Sequence, residues 1–163
     1  MKKIIFVRHG RAEDQTNELT DFERSLTSKG KQVARQMAQL LRETEPDPGI
    51  IFSSPAFRAI ETAYIFASEF GIPYEEIVVN SNLYFRAGVK VLFELLSHLD
   101  NEKDTITLFG HNPAFTEMPD RLSTTGCEFL TKTAIVCISF NTDNWSGVKL
   151  DSGRKEYFLK PEK

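Results

Sequence analysis

Short, mostly apolar runs alternate along the chain with stretches in which apolar residues recur at helical spacing. Four runs have the length of strands, at residues 3–7, 50–53, 77–79 and 105–109. A run without regular polar alternation is typical of a strand buried on both faces, as in a parallel sheet covered by helices. The pattern therefore predicts an α/β fold of three layers, an αβα sandwich around a mostly parallel central sheet.

Amphipathic helices are predicted between these strands. Thr27 is a candidate N-cap for the first helix, which ends at Glu45 and the proline-rich turn after it. Ser54 and Pro55 are predicted to open the next helix, with the serine as cap and the proline at the first helical position, and Gly71 to end it. Two further amphipathic stretches follow, at residues 89–99 and 113–122.

The last part of the chain is predicted to form antiparallel strands at one edge of the sheet, at residues 134–140, 147–150 and 157–159. A polar loop at residues 11–25 has no apolar period and is long for a compact domain, and such loops are often functional. No repeat, low-complexity segment or linker interrupts the pattern. Residues 1–163 are therefore predicted to form a single domain.

Composition and charge exclude several classes of function. The chain is 40% hydrophobic and 26% charged with a net charge of −3, and its lysines and arginines are scattered, so the basic stripe of a nucleic-acid-binding protein is missing. The apolar start stops at Arg8, short of the roughly 7–15 residues of a signal peptide. No run approaches the ~20 residues of a membrane span. We expect a cytoplasmic protein without nucleic-acid or membrane partners.

The two cysteines carry no sign of a metal site. Cys127 and Cys137 lack the spacing of metal ligands, and Cys137 lies in an apolar run that is typical of a buried, reduced thiol. A disulfide between them is the weaker interpretation.

Cationic side chains follow three of the predicted strands. Arg8 and His9 come after the first strand, Arg58 lies in the first turn of the helix after the second, and His111 follows the strand at residues 105–109. The carboxyl ends of parallel strands meet at one edge of the sheet, where helix N-termini also favour anions. Arginine forks match phosphate oxygens well. The sequence therefore predicts a phosphate site at this edge.

These motifs resemble the histidine phosphatase superfamily, which has the phosphoglycerate-mutase-like fold. The resemblance rests on Arg-His-Gly at residues 8–10, on residues 53–63 and on Gly-His-Asn-Pro at residues 110–113, each after a predicted strand. Residues 24–30 and the short chain, which has no room for a large cap, are most similar to the SixA-type phosphohistidine phosphatases. The resemblance covers about residues 3–140.

The resemblance implies a role for each matching residue. His9 would attack phosphorus and form a phosphohistidine intermediate. Arg8 and Arg58 would hold the phosphoryl oxygens, and His111 would donate a further hydrogen bond as an imidazolium. Further candidates for substrate binding are Gly10, Asn112 and Arg86, although a loop arginine such as Arg86 is more often simply exposed. No metal or other cofactor is implied, because no group of carboxylates is placed to hold a metal ion.

A general acid is missing from its usual place. Most members of this superfamily branch supply a glutamate after the third strand, but residues 80–88 contain no carboxylate, and SixA-like members also lack it. An imidazole leaving group needs less help from an acid than an alkoxide does. The missing acid therefore favours a phosphoramidate substrate or a slow phosphomonoesterase, with Glu13 and Asp14 as substitute acids.

The predicted function is that of a metal-independent phosphatase with a phosphohistidine intermediate. Its partner would be a protein carrying phosphohistidine or a small phosphorylated substrate, and inorganic phosphate would be its product. One alternative is a phosphomonoesterase or mutase on small metabolites, although mutases normally carry extra insertions around the pocket. The other is a phosphate-binding module without turnover, which the missing acid would explain.

Overall fold

The elements alternate between strands and helices over residues 1–162, which are the residues that this computed structural model describes. The strands are β1 (Lys2–Arg8), β2 (Ile50–Ser53), β3 (Val78–Val79), β4 (Thr105–Gly110), β5 (Ile135–Phe140) and β6 (Arg154–Leu159). The helices are α1 (Ser28–Thr44), α2 (Phe57–Phe70), α3 (Asn82–Phe85), α4 (Val89–Ser97) and α5 (Ala114–Leu122).

The six strands form one sheet in the order β3-β2-β4-β1-β5-β6. The four strands β3, β2, β4 and β1 are parallel to their neighbours, whereas β5 pairs antiparallel with β1 and β6 antiparallel with β5. This confirms the predicted αβα fold with a mostly parallel sheet and an antiparallel edge. It also brings the carboxyl ends of β1, β2 and β4 to the same edge.

Two apolar cores cover the two faces of the sheet. Successive residues of β1 point to opposite faces, so Ile4 and Phe6 join the core beneath α4 and α5, while Ile5 and Val7 join the core beneath α1 and α2. All four side chains are fully buried. Burial on both faces is the reason why the sequence of this strand shows no polar alternation.

The prediction of a strand at residues 147–150 is wrong. Residues Trp145–Gly147 form a single 3₁₀ turn, closed by the Val148 N–H, which donates to the Trp145 carbonyl at 3.1 Å. Trp145 is buried in the core beneath α4, and its ring lies 5.2 Å from Nζ of the buried Lys2. Anchoring this side chain in the core requires a turn where the apolar pattern predicted an extended chain.

The predicted boundaries of the helices hold with one exception. Thr27 caps α1, because its Oγ1 accepts from the Gly30 N–H at 3.0 Å, and Gly71 ends α2 with a positive φ of 69°. The predicted start of α2 at Ser54 is wrong, since the helix begins at Phe57. The Ser54 hydroxyl oxygen accepts from the Ala56 N–H at 3.2 Å and so closes a turn before the helix.

Two further observations on residues 1–162 concern the cysteines and the length of the helices. Cys137 is buried, Cys127 is half-buried, and both are free thiols. None of the described helices is long and apolar enough to span a bilayer.

Candidate active site

The sheet brings the predicted cationic residues together. In the pairing of β1 with β4, Arg8 lies opposite Gly110, so the residues that follow, His9 and His111, lie side by side with ring centroids 5.0 Å apart. Arg58 lies in the first turn of α2, which follows β2, the other neighbour of β4. The charges of Arg8 and Arg58 both act on the two imidazoles. The predicted convergence at this edge is therefore present.

His9 has the form that a nucleophile needs. Its Nδ1 lies 2.7 Å from the Gly10 carbonyl oxygen, which can only accept, so the proton sits on Nδ1 and the lone pair on Nε2. The ring is buried, with 6% of the residue exposed. Burial, together with the charges of Arg58 and Arg8, lowers the pKa of His9 to about 3, although the hydrogen bond to the Gly10 carbonyl opposes them. The imidazole is therefore neutral at pH 7.

Three buried nitrogens at the site have no hydrogen-bond partner among the described residues. They are Nε of Arg8, Nε of Arg58 and Nδ1 of His111, and only one further buried side-chain nitrogen or oxygen, Nε1 of Trp145, shares this condition. Leaving a buried donor unpaired costs about 1–3 kcal/mol. An oxyanion with several acceptor oxygens, such as a phosphoryl group, would satisfy all three.

Nη1 of Arg8 and both terminal nitrogens of Arg58 are held by the protein. Arg8 donates through Nη1 to the Leu130 carbonyl at 3.1 Å, and its guanidinium lies 5.6 Å from the ring of Phe129. Arg58 donates through Nη1 to the Asp21 carbonyl at 2.6 Å and through Nη2 to Asp21 Oδ2 at 3.0 Å. Both forks are thus fixed in direction before any anion binds.

Asp21 links the long polar loop to the site and was not predicted. Its carboxylate accepts from Arg24 at 2.9 Å, from Arg58 and from the Tyr84 hydroxyl at 2.7 Å. Although burial raises the pKa of Asp21, the hydrogen bonds from Tyr84, Arg24 and Arg58 outweigh it and lower the pKa to about 2. The carboxylate is therefore ionised. The length of the loop was the only signal in the sequence for this residue.

His111 is positioned by Ser54, a second site residue that sequence reasoning did not identify. Nε2 of His111 lies 2.7 Å from the Ser54 hydroxyl oxygen, which already accepts from the Ala56 N–H. With the serine proton directed at Nε2, the imidazole proton lies on Nδ1, the nitrogen that has no partner. The Tyr84 ring packs edge-on against His111 at 5.4 Å.

Without a bound anion His111 is a neutral imidazole at pH 7, and the expectation of an imidazolium stays a prediction for the anion-bound protein. Burial and the charge of Arg58 together lower the pKa of His111 to about 4, although the charge of Asp21 opposes them. A neutral ring still donates through Nδ1. A dianion beside it would raise its pKa and favour the imidazolium.

The polar groups of Gly10 and Asn112 form hydrogen bonds within the protein. The Gly10 N–H donates to Thr62 Oγ1 at 3.1 Å. The Asn112 amide donates to the Leu130 carbonyl at 2.8 Å, and its oxygen accepts from Thr116 Oγ1 at 2.9 Å. Both residues therefore hold the loops that carry the site, and this geometry does not favour a direct contact with substrate.

The remaining predicted residues lie in exposed loops. Glu13 is exposed, and its carboxylate accepts from the Ser25 N–H at 3.2 Å. Asp14 is exposed as well, and Arg86 is exposed at the C-terminal end of α3, two residues after Tyr84. Within residues 1–162 no hydrogen bond joins Glu13 to His9, and no group of three or more His, Cys, Asp or Glu side chains is placed to hold a metal ion.

The first half of the chain matches a known family. The family model described as histidine phosphatase superfamily (branch 1) matches residues 4–79, which include Arg8, His9 and Arg58. Phosphoglycerate mutase 1 of Saccharomyces cerevisiae is 37% identical over 67 residues, which are 40% of this chain and only 27% of the mutase.

The whole fold matches solved structures. The protein histidine phosphatase SixA complexed with tungstate has a TM-score of 0.82 at 22% identity, and the match covers 98% of this chain and 97% of that one. A protein of Agrobacterium tumefaciens assigned to the SixA phosphohistidine phosphatases has a TM-score of 0.78 at 20% identity, with 98% and 99% covered. At these identities the likeness concerns the fold. The chain therefore has the fold of SixA, and its residues 4–79 match the histidine phosphatase superfamily.

Proposed function

We propose that the protein is a metal-independent phosphatase that carries the phosphoryl group on His9. The observation that carries the proposal is the set of three unpaired, buried donors around a neutral imidazole whose lone pair sits on Nε2. An anion-binding cluster and a nucleophile in one place are what phosphoryl transfer needs, because that chemistry depends mainly on positioning and on stabilising charge.

The reaction has two steps. In the first, Nε2 of His9 attacks phosphorus, the bond from phosphorus to the leaving group breaks, and the leaving group takes up a proton. Arg8 and Arg58 hold the phosphoryl oxygens through their free N–H groups, and His111 donates from Nδ1. In the second step water attacks phosphorus, the N–P bond breaks, and inorganic phosphate leaves while His9 returns to its neutral form.

The proposed substrate is phosphohistidine in a protein or another phosphoramidate. Residues 80–88 contain no carboxylate, and the carboxylate bonded to Arg58 is that of Asp21, whose pKa of about 2 makes it a poor proton donor. A leaving group with its own basic nitrogen depends least on an acid from the protein. SixA, which shares this fold, binds tungstate, a tetrahedral oxyanion like phosphate.

A phosphomonoester is the second candidate substrate. The observation that favours it is the match of 67 residues of the chain to a phosphoglycerate mutase. A phosphomonoester releases an alkoxide, so this site would turn it over slowly.

The decisive test is hydrolysis by wild type and His9→Ala in the presence of EDTA. We expect wild type to release phosphate from phosphoramidate and from free phosphohistidine, more slowly from p-nitrophenyl phosphate, and His9→Ala to release none. His98→Ala is the matched control, because His98 is exposed at the end of α4 and should be dispensable. Hydrolysis that persists in His9→Ala, or that stops with EDTA, would overturn the proposal.

A further inference from the structure

Three phenylalanines lie exposed beside the site. The chain has thirteen, and ten of them are buried or half-buried. The exceptions are Phe57, Phe85 and Phe129, which are 40%, 71% and 62% exposed. Single exposed apolar residues need no explanation, but a group confined to one place on the surface does.

Each of the three neighbours the candidate site, either along the chain or through a contact. Phe57 precedes Arg58, and the Phe129 ring lies 5.6 Å from the Arg8 guanidinium carbon. Phe85 packs against Tyr84, with ring centroids 4.8 Å apart, and Tyr84 packs against His111. Three separate segments of the chain thus place a phenylalanine around the same centre. We call these three residues the phenylalanine rim.

Contacts within the protein do not account for the rim. Phe57 has one aromatic partner, Phe22, at 5.7 Å, and this contact helps to hold the long polar loop. Phe85 and Phe129, however, leave most of their surface to solvent. The chemistry at the centre does not need them either, because a phosphoryl group is held by the arginines and by His111.

We propose that the phenylalanine rim binds the surface of a folded protein that presents phosphohistidine, through apolar side chains next to the phosphorylated residue. The inference rests on the function proposed above and specifies its substrate. An imidazole side chain is short, so a phosphoryl group that reaches Nε2 of His9 brings its carrier's backbone and neighbouring side chains onto the rim. A small phosphoramidate has no apolar group to place there.

The test compares two substrates in the same variants. The protein substrates are small folded proteins phosphorylated on a surface histidine by potassium phosphoramidate, and the small substrate is phosphoramidate itself. We expect Phe85→Ala and Phe129→Ala each to lower kcat/KM for a protein substrate about five- to tenfold, mainly through KM, as for truncated aromatic anchors of an interface. Hydrolysis of phosphoramidate by Phe85→Ala should stay within about twofold of wild type, whereas Phe129→Ala, which removes a ring beside Arg8, is judged only by the additional loss on the protein substrate.

Tyr74→Ala is the matched control. Tyr74 is also an exposed aromatic residue, 54% exposed, but it precedes β3 and therefore lies at the amino ends of the parallel strands, away from the site. It should change neither activity. Phe57→Ala is informative only beside a thermal unfolding curve, because Phe57 also contacts Phe22.

Every other outcome overturns the inference. Equal losses of kcat/KM on both substrates would mean that the rim only maintains the structure of the site. Unchanged activity of Phe85→Ala and Phe129→Ala on protein substrates would mean that the rim does not bind the protein. Two results would indicate that the substrate is a small molecule and not a protein. In the first, wild type hydrolyses phosphoramidate but none of the phosphorylated proteins. In the second, wild type prefers an apolar phosphoramidate to phosphoramidate itself, and the variants lose this preference. If wild type hydrolyses no phosphoramidate at all, the proposed function itself fails.

Discussion

The Ser54 hydroxyl is the group that orients the imidazole of His111 and influences which of its two nitrogens carries the proton. The Ser54 hydroxyl lies 2.7 Å from Nε2, and its own oxygen accepts from the Ala56 N–H, so it is free to donate to the imidazole and keep the proton on Nδ1. In the opposite tautomer Nδ1 would present a lone pair to a phosphoryl oxygen, and the two would repel each other. Ser54 is thus a positioning residue that acts through His111.

Ser54→Ala should therefore lower kcat about tenfold while the protein remains folded, a loss that corresponds to one hydrogen bond of the transition state. Raising the pH should not restore the rate, since the lost group orients a proton and supplies none. The measurement is kcat and KM on phosphoramidate, with thermal unfolding of the same samples. Ser53→Ala is the control, because the buried Ser53 hydroxyl donates to the Ser54 backbone carbonyl at 2.8 Å and to no side chain of the site. Equal losses in the two variants would contradict the role of Ser54.

Some residues of the candidate site could be identified from the sequence and others could not. His9, Arg8, Arg58 and His111 stood out because each follows a strand, and parallel strands bring such positions to one edge. Asp21 and Tyr84 did not, because their bond joins residues 63 positions apart across a loop without periodicity. Ser54 was noticed but given the role of a helix cap. A hydroxyl can serve a turn, a helix or another side chain, and only the placement of His111 decides among them.

At the scale of elements, apolar periodicity predicted the strands and helices well where burial determines the conformation. It failed at residues 147–150, where the anchoring of Trp145 requires a turn, and at α3, which has only four residues. A helix this short carries too little periodicity to be recognised. These weaknesses have a functional side, since α3 carries Tyr84 and Phe85, which lie at the site.

One close approach between elements fixes the position of His111. Gly110 ends β4, and a Cβ added there would overlap the Phe115 ring of α5. Gly110→Ala should therefore lower the free energy of unfolding by about 1–3 kcal/mol and reduce kcat as well, because the strand end that carries His111 must shift. Urea unfolding and phosphoramidate kinetics measure the two effects.

The matched substitution is Gly88→Ala, at a position where the nearest atom to an added Cβ is the Arg86 carbonyl oxygen at 4.0 Å. It should change stability by less than about 1 kcal/mol. In the double variant, Phe115→Leu should recover part of the stability that Gly110→Ala alone loses, because the smaller side chain removes the overlap. A Gly110→Ala protein as stable as wild type would show that α5 yields freely and that His111 is not fixed in this way.

At the scale of the whole molecule, the fold places a buried and a half-buried histidine beside two arginines in a chain whose net charge is −3. Burial, with support from the cationic surroundings, keeps both imidazoles neutral, so the affinity for anions comes from arginine and from N–H donors, and the proposed nucleophile stays unprotonated. The same arrangement makes folding sensitive to acid. The unfolded chain takes up a proton on each histidine near its ordinary pKa of 6.5, whereas the folded protein does so only near 4 for His111 and near 3 for His9.

The stability that these histidines contribute is therefore complete above about pH 6.5 and is lost as the pH falls toward 4, at up to about 1.4 kcal/mol per pH unit for each histidine. Urea unfolding between pH 7 and pH 5 measures this slope. The contribution of Asp21, whose pKa of about 2 lies below its ordinary value of 3.8, is lost only at lower pH.

Two variants at the site test the origin of the slope. His9→Asn preserves an amide donor toward the Gly10 carbonyl, and His111→Gln preserves an acceptor for Ser54. Each should remove about half of the slope, whereas His98→Gln, at an exposed position, should leave most of it. A slope that persists in both buried-site variants would mean that other groups cause the sensitivity to acid, and that these imidazoles do not resist protonation in the folded protein.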